Sequence, residues 1–430
     1  MKRQFARLIV VKALFAVVVF CLCNTAFAQE LTKRGRYYVA EITKSFKVKK
    51  GGALIIYDVR GDVRVRTWDK EEVFIKEQKS MDVFTEKEAK TVLEKSKSSY
   101  QQNGNTIEIG GEYYTRDWIK SEFEITVPRV FMVDIRTRSG DIAVRQLIGE
   151  VNLKTSGGEI VLEDIDGEID AYTSGGNIEV LNSTKRARIK TSGGDLELEN
   201  IGGPLVAKTS GGDIVLTGSK GRLELHTSGG DIEIKDAGGE VKAHTSGGDI
   251  EVNNTQGDVE VHTSGGDIDL RNIGGRLEAS TSGGDIKGDM INGGVHASTS
   301  GGSIELQDVK GGVEGKTAGG DISVEITLED FKKNHSVDLR TAGGEIVLYI
   351  PERLPATIRA EIKISDRWDD YNIYSDFPLT STEDTSEERK GRRHSRRRRY
   401  VRSEGDINGG GNFIELYTTN GDIHIKKLRK

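Results

Sequence analysis

The sequence is poor in the residues that build large globular cores. Aromatic residues make up 6% of the 430 positions, hydrophobic residues 35%, and proline occurs only five times. A thick core requires more apolar side chains than this, whereas a thin core repeated many times requires fewer per residue. Together with 53 glycines, the composition favours a solenoid over two or three ordinary globular domains.

Cysteine is almost absent, and both cysteines lie near the N-terminus. Cys21 and Cys23 fall in a segment with a basic start and an apolar run that begins at Leu8. A small-x-small site at 26–28 predicts that residues 1–28 are a cleaved signal peptide. The alternative is an uncleaved anchor, but the run of about 16 residues is short for a span of ~20. The mature chain would then have no disulfide and no transmembrane segment, and would be periplasmic, cell-surface or secreted.

Positive charge is also in deficit. The formal net charge is −6, and removal of the four cations of the predicted signal peptide leaves the mature chain near −10. This acidity argues against nucleic acid as a general partner.

An internal repeat of 18 residues dominates the remainder. A Thr followed by a Gly-containing turn recurs from Thr137 to Thr317, then at Thr341 and Thr418, and most units read Thr-Ser-Gly-Gly-Asp-Ile. Apolar and polar residues alternate on both sides of the turn, which is typical of half-buried strands. The threonines are predicted to form an internal, structural ladder of hydroxyls at the turns, comprising Thr155, Thr173, Thr191, Thr209, Thr227, Thr245, Thr263, Thr281, Thr299 and Thr317.

The predicted fold class is all-β, a single-stranded parallel β-solenoid (β-helix). Each coil is two short strands separated by a Ser-Gly-Gly corner, where glycine would permit positive φ, and a second corner that often reads Ile-x-Gly. Coils that stack at about 4.8 Å place every side chain over its counterpart in the next coil, and thirteen coils give a rod of roughly 60 Å.

The repeat divides the chain into four regions. Residues 1–28 are the signal peptide, and residues 29–136 are an N-terminal β-rich capping region with one helix at about 85–100, N-capped by Thr85. Residues 137–350 are the solenoid repeats. Residues 351–430 are C-terminal coils and a cap that contains a charged insert at about 381–403, predicted to be a disordered loop.

These motifs together resemble the bacterial putative-adhesin family of β-strand-repeat proteins, whose function is unknown. The Thr-Ser-Gly-Gly-Asp-Ile turns match the family repeat, Gly61–Asp69 is similar to its opening strand, and Thr418–Ile423 is similar to its closing segment. The resemblance covers nearly all of the mature chain and implies a β-solenoid. The family name implies adhesion, and the insert at 381–403 departs from the family pattern.

A column of aspartates follows the turn. A row of like charges about 4.8 Å apart repels and must be offset by other contacts. One interpretation is an Asx-type hydrogen bond to the turn backbone, and the other is a row of Ca²⁺ sites. The ligand spacing of the calcium β-roll is missing, so we favour the hydrogen bonds and predict no cofactor. The column comprises Asp195, Asp213, Asp231, Asp249, Asp267, Asp285 and Asp321.

Three histidines, His226, His244 and His262, lie 18 residues apart, each directly before the Thr. They are expected to stack outward on three successive coils. Stacked imidazoles are weak candidates for a transition-metal site, and a solvated polar face is the favoured interpretation.

The insert at 381–403 is dense in arginine. After a signal peptide, such a segment would contact an acidic polysaccharide, lipopolysaccharide or phospholipid surface. The alternative is a solvated loop whose acidic half screens its basic half. The candidate contact residues are Arg392, Arg393, Arg396, Arg397, Arg398 and Arg399.

No catalytic constellation is visible in the sequence, because no fixed His and Asp accompany one special Ser. The sequence therefore predicts a non-enzyme, an adhesin-like or scaffolding module of the cell envelope that binds an unidentified glycan, lipid or protein surface by multivalent weak contacts. The alternatives are a carbohydrate-active β-helix lyase or hydrolase and an envelope protein that assembles end to end.

Overall fold

The computed structural model describes residues 30–111, 119–328, 330–365, 370–390 and 394–428. The predicted signal peptide lies outside these residues. The described part of the chain contains one helix and 37 strands. No helix in the described ranges has the length and apolar character needed to cross a membrane.

Thirteen coils each contribute one strand to each of two parallel sheets, which we name sheet A and sheet B. The strands of sheet B end at or just before the turn region of each coil. They are Phe131–Ser139, Val151–Lys154, Ile169–Tyr172, Ala187–Lys190, Leu205–Lys208, Leu223–His226, Val241–His244, Val259–His262, Leu277–Ser280, Val295–Ser298, Val313–Lys316, Val337–Arg340 and Asn412–Thr419. Strands of sheet A follow the turn: Ile142–Arg145, Ile160–Ile165, Ile178–Ser183, Leu196–Ile201, Ile214–Ser219, Ile232–Ala237, Ile250–Thr255, Ile268–Ile273, Ile286–Ile291, Ile304–Val309, Ile322–Ile326, Ile346–Ile350 and Ile423–Lys427.

The register between coils follows the 18-residue repeat. Leu223 pairs with Val241 in sheet B, and Ile232 pairs with Ile250 in sheet A. Alternate side chains of each strand therefore form continuous aliphatic columns in a narrow interior, where these residues are buried. The predicted parallel β-solenoid is confirmed.

The Ser-Gly-Gly corner requires glycine for a different reason from the predicted one. Gly229 and Gly230 do not have positive φ. A Cβ added to Gly230 would instead overlap the backbone carbonyl of Gly212 in the preceding coil, whereas a Cβ on Gly229 would lie 3.6 Å from the Gly211 carbonyl oxygen. The second glycine of each pair is therefore needed because the corners of adjacent coils stack backbone against backbone.

Left-handed residues occur at the second corner, nine residues after the turn threonine, in the nine successive coils from Thr155 to Thr299. Asn254 has a φ of 60°, donates from its amide to Asp236 Oδ1 at 3.0 Å, and accepts from Asn272 Nδ2 at 3.0 Å. Asparagine and aspartate tolerate this conformation better than other residues with a Cβ. The column reads Asp164, Asn182, Asn200, Gly218, Asp236, Asn254, Asn272, Met290 and Asp308.

We predict that Asn254→Ala destabilises its coils by about 1–2 kcal/mol more than Asn254→Gly, because only glycine accepts the left-handed backbone without steric cost. Both variants lose the two amide hydrogen bonds. Hydrogen exchange of the amides in Ile250–Thr255 measures the difference, and Asn253→Ala on the same strand is the control, expected to change stability by less than about 0.5 kcal/mol. Equal exchange rates in the Ala and Gly variants would contradict the prediction.

The N-terminal end is closed by additional strands. Gly52–Trp68 runs from sheet B into sheet A and pairs with the first coil on both. Sheet A is then extended by Ile119–Pro128, Glu72–Met81, Tyr37–Lys47 and Glu30–Arg34, and sheet B by Thr106–Gly110 and Ser99–Asn103. Most of the added pairings are antiparallel, so the stack of parallel coils ends there.

The helix at this end is shorter than predicted. It spans Glu86–Lys95, and the Thr85 hydroxyl accepts from the backbone N of Glu88 at 3.2 Å. The predicted extension to residue 100 is wrong, because Tyr100 lies in a strand and its hydroxyl donates to the buried carboxylate of Glu77. Tyr100 therefore makes a long-range contact instead of a further helical turn.

The C-terminal end is closed by an excursion of the chain between the last two coils. The described residues between 351 and 411 leave the solenoid, and Thr418 returns to stack on the coil of Thr341. Strand Ala356–Ile364 covers the last coil in sheet B and pairs antiparallel with His394–Ile407, while Ile373–Ser375 covers it in sheet A.

The prediction of a disordered loop at 381–403 is wrong. Thr380–Lys390 and His394–Ile407 form an antiparallel β-hairpin. Its register places Glu387 opposite Arg397 and Glu388 opposite Arg396, so the acidic half lies across from the basic half. The charge density that argued for disorder in isolation is compatible with a strand pair of opposite charges built on the cap sheet.

Candidate functional site

The ten predicted ladder threonines all lie in the interior, each at most 8% exposed. Each hydroxyl bonds the turn backbone rather than another hydroxyl. Thr227 Oγ1 donates to the carbonyl of Gly212 in the preceding coil at 2.8 Å and accepts from the backbone N of Gly230 in its own turn at 3.4 Å. The ladder therefore joins successive corners, which is a structural role.

The aspartate column couples adjacent coils. Asp231 Oδ1 accepts from the backbone N of Asp249, one coil further on, at 2.8 Å, and the same contact recurs along the column. A charge-assisted bond to a backbone N–H offsets the repulsion within the row. Each carboxylate thus bonds the next coil and not its own turn. Within the described residues, no group of three His, Cys, Asp or Glu side chains has the geometry of a metal site.

The three histidines stack on the outer face of sheet B. The ring centroids of His226 and His244 are 4.9 Å apart with an interplanar angle of 2°, and those of His244 and His262 are 4.9 Å apart with an angle of 6°. One metal ion joins two imidazole nitrogens only if they lie within about 4.2 Å, twice the Zn–N distance. The ring centroids are spaced more widely than this, and the three histidines belong to no group with the geometry of a metal site among the described residues.

The candidate arginines are distributed differently. Arg392 and Arg393 lie outside the described residues. Arg396, Arg397 and Arg398 lie on strand His394–Ile407, at positions where the structure describes the backbone but not the side chains. Arg399 is within 2.6 Å of Asp370 and 3.2 Å of Glu383, so its guanidinium takes part in holding the cap.

The histidines belong to a longer row that the sequence interpretation did not assemble. We name it the sheet B row: the outward residues directly before the turn threonine in eight successive coils, which are Arg136, Lys154, Tyr172, Lys190, Lys208, His226, His244 and His262. The ammonium groups of Lys154 and Lys190 lie 5.4 and 6.0 Å from the ring centroid of Tyr172. The 18-residue period already places Lys154, Lys190 and Lys208 in the same column as the histidines, which the sequence suggested to be a solvated polar face.

The two faces of the solenoid differ in charge over these eight coils. On sheet B the outward residues one and three positions before the threonine comprise six Lys or Arg and four Asp or Glu. On sheet A the outward residues six and eight positions after it comprise three Lys or Arg and seven Asp or Glu. Over these coils the outer face of sheet B is therefore net positive by two charges (6 − 4) and that of sheet A net negative by four (3 − 7).

A groove of about 690 Å³ lies beside the 24-residue coil, whose extra residues project at the second corner. Its lining includes Arg276, His296, Glu314 and Asp338. The carboxylate of Glu314 accepts from Lys316 and lies 3.1 Å from His296 Nδ1, and these contacts hold the pKa of Glu314 below its usual range. Asp338 is 2.7 Å from Arg340.

Glycoside hydrolysis needs a carboxyl group whose pKa is raised, so that it holds a proton for the leaving oxygen. The pKa of Glu314 is instead lowered, and Glu415, a third carboxylate in the groove lining, lies 3.8 Å from both Arg340 and Arg359. The groove is therefore a polar surface depression whose carboxylates lie beside cationic side chains.

The chain matches the Toastrack DUF4097 family over residues 63–254, 169–292 and 239–426, which overlap and cover most of its length. It is similar to a crystal structure of a putative adhesin from Bacteroides fragilis NCTC 9343, with 16% identity, a TM-score of 0.22, and coverage of 72% of this chain and 97% of that one. It is also similar to a putative cell adhesion protein from Clostridium sporogenes ATCC 15579, with 9% identity, a TM-score of 0.14, and coverage of 90% and 99%. No curated protein matches this chain.

Proposed function

We propose, from the premise that this chain belongs to the Toastrack DUF4097 family, that it is a non-catalytic, adhesin-like or scaffolding module which is exported to the cell envelope and binds repetitive surfaces there. The resemblance inferred from its turn motifs is confirmed by this family membership, and the family carries no established function. The role is therefore argued from the surfaces that the fold displays.

One observation carries the proposal: outward side chains repeat at a single strand spacing along thirteen coils. Each such side chain offers a weak contact. A partner with a regular repeat meets many of them at once, and linked weak contacts raise the overall affinity by 10²–10⁴-fold, on the order expected for multivalent binding.

The surface chemistry gives less support to the alternative of a polysaccharide lyase or hydrolase. The groove beside the 24-residue coil is a depression where charged groups of several coils meet, and two of its carboxylates, Glu314 and Asp338, are ion-paired. The short corners elsewhere present hydrogen-bonded backbone and side chains that serve coil stacking.

The charged hairpin is a second element of the proposal. Its basic strand, His394–Ile407, would contact an anionic glycan or phospholipid surface of the envelope, as expected for an arginine-dense segment of an exported protein. The opposing acidic residues would limit this contact to ligands of high charge density.

The expected result of a binding test is a strong dependence on ligand length. Immobilised chain comprising residues 29–430 should bind a long envelope polysaccharide about 100-fold or more tightly, per binding epitope, than its short oligosaccharide. Biolayer interferometry against a panel of envelope glycans and lipid vesicles measures this. Equal affinity for long and short ligands would contradict multivalency, and the appearance of cleaved products would favour the enzyme.

A matched variant isolates the hairpin. Replacing residues 386–398 with Asn-Gly joins the paired residues Thr385 and Arg399 through a two-residue turn and leaves the pairing with Ala356–Ile364 intact. A selective loss of binding to anionic vesicles or acidic glycans would support the proposed contact, and unchanged binding would remove it.

A further inference from the structure

The sheet B row is a single file of side chains along the solenoid axis. Backbone register places each member beside the next, and the 4.9 Å spacing of the stacked histidine rings shows that side chains keep the strand spacing. Seven steps between Arg136 and His262 give a row of about 34 Å at this spacing. Its shape suits a linear ligand that lies parallel to the axis.

Two cations in the N-terminal half of the row, Lys154 and Lys190, are not neutralised by the fold, whereas Arg136 is paired with Asp134 at 3.1 Å. Among the described residues, Lys154 and Lys190 have no carboxylate within 4.0 Å, and their recorded contacts are with the ring of Tyr172. The Tyr172 hydroxyl lies 3.4 Å from Ser174 Oγ, so the coil between the two lysines also presents polar oxygen atoms. Lys208, by contrast, is paired with Glu224 at 2.7 Å.

The C-terminal half of the row is titratable. Four charged side chains face the three imidazoles from the same strands and the preceding coil: Lys208, Glu224, Lys242 and Glu260. Lys208 pairs with Glu224 and Lys242 with Glu260, so these four contribute little net charge. Protonation of the histidines would therefore add up to three positive charges in line with the lysines.

Burial, together with the neighbouring His226 and His262, lowers the pKa of His244. Its protonation in the free protein accordingly requires a pH below the ordinary value of about 6.5. An anion bound along the row would oppose both effects, because it favours the charged imidazolium. Ligand binding and proton uptake would thus reinforce each other.

We infer that the sheet B row is the binding surface for a linear acidic polysaccharide, held at neutral pH by its lysine half and extended on acidification by its histidine half. This inference rests on the proposed function and names the ligand class. The strand spacing is close to the length of one sugar residue in an extended chain, so successive sugars would meet successive coils. The acidic outer face of sheet A would repel the same ligand.

Heparin, a linear sulfated polysaccharide whose charge does not titrate in this range, is the probe. At pH 7.5, Lys154→Gln/Lys190→Gln should bind heparin about tenfold more weakly than the wild type. The charge-matched control is Lys235→Gln/Lys287→Gln on the outer face of sheet A, which should change affinity less than about twofold. Equal losses in the two double variants would overturn the inference.

The histidine half is tested by pH. Wild-type affinity for heparin should rise at least about fivefold from pH 7.5 to pH 5.5, and His226→Gln/His244→Gln/His262→Gln should lose most of this rise while it keeps the affinity at pH 7.5. A full pH response in the triple variant would overturn this part. Single-stranded DNA of equal charge that binds as tightly as heparin would overturn the ligand class.

The outcomes separate this inference from the proposed function. Failure to bind heparin, combined with length-dependent binding to a neutral glycan or to vesicles, would refute the row and leave the multivalent module in place. Heparin binding that needs Lys154 and Lys190 but gains nothing from chain length beyond the row of about 34 Å would support the row and contradict multivalency along all thirteen coils.

Discussion

Gly230→Ala should destabilise the solenoid by about 4 kcal/mol around the affected coils, at the upper end of single-substitution effects. The added methyl group would overlap the backbone carbonyl of Gly212, and a backbone neighbour has no rotamer by which to move away. The corners of the two coils would have to separate. Separation would also break the bond that Thr227 Oγ1 donates to the Gly212 carbonyl of the preceding coil.

Gly229→Ala is the matched control, because it adds the same methyl group one residue earlier. The nearest atom there is the Gly211 carbonyl oxygen at 3.6 Å, and the φ of Gly229 is not positive, so alanine should be neutral or slightly stabilising, within about 1 kcal/mol.

Hydrogen exchange is the appropriate measurement, because coils contact only their neighbours and a long repeat array need not unfold in one step. In Gly230→Ala, protection should fall in Leu205–Lys208 through Ile250–Thr255 and stay unchanged near either end. Equal protection in the two alanine variants would contradict the prediction, because it would show that the corner accommodates a methyl group at residue 230.

The sequence was most informative where residues repeat. A buried Ile, Thr or Asp of one coil has the same neighbours as its counterpart 18 residues away, so the column pattern carried the register, the interior and the position of the threonine ladder. The same logic places Lys154, Lys190 and Lys208 in one column with the histidines. The column nine residues after the threonine would likewise have indicated a left-handed corner from its run of Asn, Asp and Gly.

The ends were less predictable, because their contacts do not repeat. The helix ends at Lys95 with Ser96 as its C-cap, and the following residues Ser98 and Tyr100 bind Glu77 on another strand, a contact that the local sequence does not indicate. The charged hairpin forms because the excursion returns antiparallel to Ala356–Ile364, a pairing some 40 residues apart. Composition describes such a segment only in isolation.

At the N-terminal end, the largest loss of stability should follow from breaking a buried ion pair. Glu77 and Lys79 are 0% and 2% exposed, with Lys79 Nζ 3.3 Å from Glu77 Oε1. Lys79 also donates to the Ser96 carbonyl at the end of the helix, and Glu77 accepts from Ser98 and from Tyr100, whose pKa is raised by burial and by the Glu77 charge. The pair thus fastens the helix and the following strand to the cap.

Lys79→Met should destabilise the cap by about 3–5 kcal/mol, because it leaves the Glu77 carboxylate buried without its cation. Glu77→Gln should have a similar effect through the uncompensated ammonium. The double variant Lys79→Met/Glu77→Leu should lose less stability than Lys79→Met and Glu77→Leu lose in sum, because no unpaired charge remains in it. The difference between the two values is the coupling energy of the ion pair. Protection of the Glu86–Lys95 amides reports the cap, and loss of the cap should expose strand edges and cause aggregation.

Lys76→Met provides the control on the same strand. It breaks an exposed pair, with Lys76 Nζ 3.2 Å from Glu41 Oε2, and should cost less than about 1 kcal/mol because solvent screens the charges. If Lys79→Met were no worse than Lys76→Met, water would be reaching the buried carboxylate, and the helix would be held mainly by its apolar face of Ala89, Val92 and Leu93. A large gap between the two variants, with the coils beyond Phe131–Ser139 unaffected, would show that the cap is secured independently of the repeats.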